Sequence, residues 1–104
     1  MSRNHMNRRK GELTGARIDR EWPYQVALPA EQVAGKNYVV AHDFCRDLSL
    51  CPRGHTVRRE GIEYHVFCFA NPVHADLFRE KFMGERFDPK DRGRGANWHL
   101  WRQK

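Results

Sequence analysis

Fourteen residues in the middle of the chain, HDFCRDLSLCPRGH, hold its densest group of chemically capable side chains. His42, Cys45, Cys51 and His55 follow the spacing H-x2-C-x5-C-x3-H. Zinc takes four such nitrogen and sulfur donors in a tetrahedron. His42 and Cys45, at i and i+3, would share one side of a helix, and a loop through Pro52 and Gly54 could carry Cys51 and His55 round to meet them. A second chemistry is open to the same residues. Cys51 with His55 or His42 pairs a thiol with a base, and Arg46 and Arg53 offer the positive surroundings that favour a thiolate. No third residue stands ready to orient that pair, and Cys45 lies beside the apolar face of its helix. The expectation is therefore a non-enzymatic protein without a cofactor, with a small zinc-binding domain as an alternative.

A different constellation closes the chain. Arg92-Gly-Arg94-Gly precedes Trp98-His-Leu-Trp101, which interleaves guanidinium groups with indoles. Arginine can meet phosphate while aromatic rings stack bases. Two tryptophans are costly to leave in water, so the same segment can instead dock on an open sheet face or help form a homodimer there. The glycines do not form a nucleotide-binding loop, because no strand precedes them and no helix follows.

The elements that must position these residues are legible from periodicity. Ile62 to Phe69 is rich in β-branched and aromatic residues and reads as a central strand. Ile62, Tyr64, Val66 and Cys68 share one face, and Glu63, His65, Phe67 and Phe69 the other. Asn71-Pro72 then predicts a helix start. Ala75, Phe78 and Phe82 form its apolar stripe, widened by Leu77, and Gly84 is its expected left-handed end. Upstream, Trp22, Tyr24, Val26 and Leu28 alternate as a strand. A helix beginning near Lys36 turns Val40, Phe44 and Leu48 inward, with Ala41 and Cys45 beside them. His55 to Glu60 and Glu85 to Phe87 are short polar strands suited to sheet edges, and Glu60-Gly61 predicts a hairpin turn. Strand, helix, strand, strand, helix, strand predicts an α+β fold of the split βαβ kind, an antiparallel sheet with two helices on one face.

Phe67-Cys68-Phe69, the turn, Ala75, Phe78, Phe82 and Gly84 resemble the second half of a ferredoxin-like domain, over roughly residues 22–90. The chain also resembles small uncharacterised bacterial proteins with this strand-then-Asn-Pro-helix ending, which implies no particular activity. The same half is similar to an RNA-recognition motif, whose third strand runs basic-Gly-aromatic-small-aromatic-Val-x-aromatic. Aligned at Phe69, that pattern puts Tyr64 and Val66 at two base-stacking positions. Tyr64 matches; Ile62 and Glu63 replace the basic residue and the glycine, and His65 the small one.

Charge refines the expected partner. The 104 residues carry a net charge of +6. Residues 1–20 contribute +4 and residues 85–104 contribute +3, while residues 21–84 sum to −1. The division expected is a flexible basic arm over 1–20, a ferredoxin-like domain over 21–88 and a basic aromatic tail over 89–104. Basic ends favour RNA or another single-stranded nucleic acid. The expected contacts are Tyr64 as a stacking surface, Arg58 and Arg59 on the edge strand, and Arg92, Arg94, Trp98 and Trp101 in the tail. The alternative is a protein–protein module that dimerises through its open sheet face. No apolar run approaches the about 18 residues of a membrane span, and three cysteines without disulfide spacing fit a reducing, cytoplasmic setting.

Overall fold

The structure, a computed structural model, describes residues 13–102. Residues 1–12, which include the basic triplet Arg8-Arg9-Lys10, lie outside the described residues. The fold is α+β. Helix α1 (Gly15–Glu21) leads into β1 (Tyr24–Pro29); a 3-10 turn and α2 (Lys36–Phe44) follow. Then come β2 (His55–Arg59), β3 (Ile62–Phe69), α3 (Pro72–Phe82) and β4 (Glu85–Phe87). The strands form an open antiparallel sheet in the order β2-β3-β1-β4. None of the helices among the described residues is long and apolar enough to cross a membrane.

Local chemistry explains the boundaries. The Asn71 side chain accepts the Val73 amide at 2.8 Å, and Pro72 occupies the first turn of α3 without sacrificing a needed donor. Glu60 and Gly61 both take positive φ, 54° and 79°, which matches the twist of the β2–β3 hairpin. Ser49 fastens the loop after α2 to the start of α3. Its hydroxyl accepts the amides of Ala70 and Asn71, and its own amide donates to His74 Nδ1 at 2.9 Å.

Both faces of the sheet are buried. On one, Val26, Leu28, Phe67 and Phe69 pack with Val33, Ala41, Cys45, Ala75 and Phe78 beneath α2 and α3. Phe78 sits centrally, its ring 4.7 Å from Phe67, 4.8 Å from Phe82 and 5.3 Å from Phe69. On the other, Ala27, Val57, Tyr64, Val66, Cys68 and Phe87 are covered by Ile18 of α1 and by Trp101 of the C-terminal segment. That segment is laid along β2. The Arg58 amide donates to the His99 carbonyl at 2.8 Å, and the Trp101 amide donates to the Arg58 carbonyl at 2.9 Å.

Several expectations change here. Residues 15–20 of the expected flexible arm belong to a docked helix, Gly15–Glu21, because Ile18 is apolar and Thr14 caps the helix by accepting the Arg17 amide. Trp22 ends that helix and packs with the cluster on the α1 side, opposite to Tyr24, Val26 and Leu28. Leu77 and Val40 face solvent, 46% and 53% exposed, because Phe78, Phe82, Ala41 and Cys45 already fill the space under the helices. Met83, not Gly84, takes the left-handed position after α3, with φ 57°. Gly84 is needed for a different reason: a Cβ there would sit 2.7 Å from Val26 Cγ1 and 2.9 Å from Leu28 Cδ2.

Phe78→Ala should cost about 3–5 kcal/mol, whereas Leu77→Ala should cost under about 0.5 kcal/mol. Urea unfolding measures both, and equal losses would contradict this assignment of the α3 faces.

Candidate nucleic-acid interface

The residues expected to touch nucleic acid divide into two groups. Tyr64, Arg59, Arg92 and Trp101 are occupied within the protein. The Trp101 ring meets Tyr64 and Phe87 edge to face, at 5.1 and 5.2 Å. Arg59 lies 3.8 Å from the Trp101 ring, donates to the Tyr64 hydroxyl at 3.2 Å and makes a two-pronged ion pair with Glu85 at 2.8 and 3.0 Å. The bond to Glu85 raises the Arg59 pKa and lowers that of Glu85, so both stay charged. Tyr64 therefore offers no open ring to a base, and the face expected to receive RNA or a second copy is already covered.

Arg92 is only 5% exposed, although it belongs to the tail. It donates to Asp19 of α1 and stacks 4.0 Å from Trp98. Asp19 also accepts from Gln25 at 2.9 Å and from His55 Nε2 at 3.3 Å. One carboxylate thus joins α1, β1, β2 and the tail. Burial alone would raise its pKa, but the bonds from His55 and Gln25 and the charge and bond of Arg92 outweigh it and bring the carboxyl below its ordinary value. Buried polar groups of this kind hold only while their partners remain.

The second group is exposed. Arg58 and Arg94 reach solvent, and among the described residues neither side chain pairs with a carboxylate. Trp98 keeps 38% of its surface in solvent while its inner side rests on Arg92 and against Gly15, where a Cβ would strike the indole. His99 and Arg102, which composition alone did not single out, share this edge. They arrive there because the tail folds back on itself: the Gly93 amide donates to the Leu100 carbonyl at 2.9 Å and the Arg102 amide to the Asp91 carbonyl at 2.7 Å. That hairpin has no strong sequence signal beyond its glycines.

The H-x2-C-x5-C-x3-H residues are separated. Cys45 lies in the cluster under α2 and α3, Cys51 in the cluster under α1 and the tail. His42, Cys51, His55 and His65 do line a common cleft of about 320 Å³ with Tyr38 and Phe67. His42 stacks there on Tyr38 at 4.2 Å, while His55 is turned to Asp19 and Trp98. Among the described residues no three His, Cys, Asp or Glu side chains come together as metal ligands would. Burial pushes the Cys45 thiol up to about 12 and raises Cys51 and Cys68 as well, away from the thiolate that a nucleophile must be.

Comparison of the chain with protein-family models, with curated proteins and with solved structures gave no match.

Asp19→Ala should cost roughly 3 kcal/mol at pH 7, because it strands a buried guanidinium, and Arg92→Met in that background should recover part of the loss. Folding lowers the Asp19 pKa, so its contribution is complete above the unfolded carboxylate value of about 3.9 and disappears as pH falls through the lower folded value. Unfolding of wild type and Asp19→Ala should therefore differ at pH 7, and the difference should shrink as pH falls below the unfolded carboxylate value. A gap that is constant with pH would contradict the clasp.

Proposed function

We propose that this protein is a small non-enzymatic binding module of ferredoxin-like architecture whose β2–tail edge holds single-stranded nucleic acid by its phosphates. The strand order β2-β3-β1-β4 and the alternation of strands and helices from β1 to β4 support that architecture. The observation that carries the functional reading is the sorting of the arginines. Arg59 and Arg92 are neutralised by Glu85 and Asp19, whereas Arg58 of β2 and Arg94 and Arg102 of the tail segment paired with it remain exposed. Guanidinium groups without acid partners are the donors that phosphates take up, releasing counterions. Recognition in this reading is through the backbone of the nucleic acid, since the ring of Tyr64 lies under Trp101. Such contacts tolerate sequence variation and depend strongly on salt.

The test is fluorescence anisotropy of a labelled single-stranded RNA of mixed sequence, titrated with the protein over a range of salt. Affinity should fall steeply as salt rises. Arg58→Ala and Arg94→Ala should each reduce the log–log salt slope by about 0.7 without changing thermal stability. Absence of binding at low salt, or slopes unaltered by both substitutions, would contradict the proposal.

A further inference from the structure

Six of the eight large hydrophobic residues exposed among the described residues lie in one layer: Tyr38, Val39 and Val40 on α2, and Val73, Leu77 and Met83 on or just after α3. A helix as apolar on its outer side as on its inner side is normally buried on both. Val73 and Leu77 stand four residues apart, on an i±4 ridge that continues to Lys81. Lys81 lines a groove of about 570 Å³ between the two helices, whose other walls include Val33, Val40 and Phe82. Met83 also borders that groove, 89% exposed and held in the left-handed conformation that a side chain rarely adopts.

We propose that the occupant of this surface is a second copy of the chain, the α2–α3 layers meeting about a two-fold axis. A two-fold contact needs one patch that is complementary to itself. Here an apolar ridge, a protruding methionine and a groove lie in the same layer, so each copy offers what the other receives. Charge points the same way. The segments 30–48 and 71–84 carry four basic and five acidic side chains in a chain whose net charge is +6. This is where two copies can meet without repulsion, and it is a poor surface for nucleic acid. The contact is independent of the nucleic-acid reading, since it uses the outer side of α2 and α3 and not the β2–tail edge.

Sedimentation equilibrium of the full chain tests it. The wild type should be dimeric at tens of micromolar, and Leu77→Glu and Met83→Glu should each weaken association by about 30-fold, the scale of a hot-spot residue. Circular dichroism of both variants should match the wild type, because both side chains are exposed. Ile62→Glu, an exposed change away from the helices, should leave the dimer intact. A wild type that stays monomeric near 1 mM would overturn the inference, as would a dimer that survives both helix substitutions or one broken by Ile62→Glu.

Discussion

Everything in this molecule follows from a sheet whose central strands are apolar on both faces. The helices α2 and α3 cover one of them. Water cannot be left on the other, where Ala27, Tyr64, Val66, Cys68 and Phe87 meet, so α1 and the segment through Trp101 form a second layer. Burial of Ile18 and Trp101 supplies the non-directional part of that attachment. Asp19 supplies the directional part, since its carboxylate accepts from Arg92, Gln25 and His55 and so fixes where helix and tail lie relative to the strands.

The double cover decides what each surface is able to do. A sheet face closed by Trp101 cannot stack bases, and it cannot serve as a seam between copies. Interaction is displaced to the outside of each layer, and the layers differ in charge. Among the described residues around β2 and the tail, Arg58 and Arg94 are exposed without a carboxylate partner, and Arg102 is exposed as well. The opposite layer is nearly neutral and unusually apolar. Under the two proposals made above, the layers would meet different partners, the edge through its exposed arginines and the α2–α3 layer through its apolar side chains.

Much of the scaffold was legible because it rests on local signals. The alternation in Ile62–Phe69 correctly divided Tyr64, Val66 and Cys68 from Phe67 and Phe69. Asn71-Pro72 and Glu60-Gly61 mark their boundaries through capping and turn chemistry that need no tertiary context. The short helix at Gly15–Glu21 was missed because it buries a single apolar residue, Ile18, and has no period to detect. Val40 and Leu77 were placed inward because spacing gives the direction of an apolar stripe but not how wide a stripe the space beneath can accept. The site was less legible still. Arg59 and Arg92 have the same composition signal as Arg58 and Arg94, and only the long-range pairs with Glu85 and Asp19 tell them apart. The histidine–cysteine spacing has a related limit: Cys45 and Cys51 fall on opposite sides of the sheet, which six residues of separation do not reveal.

The claim on which all of this depends is that the tail is part of the folded unit. Its most direct measure is the exchange rate of the Arg58 amide, followed by NMR in deuterium oxide. Arg58 lies on an edge strand, and its amide is satisfied by the His99 carbonyl of the tail at 2.8 Å. If the tail is docked, this amide exchanges slowly, at a rate approaching that of the β3 amides in the sheet centre. Exchange as fast as that of an open edge strand would contradict the account.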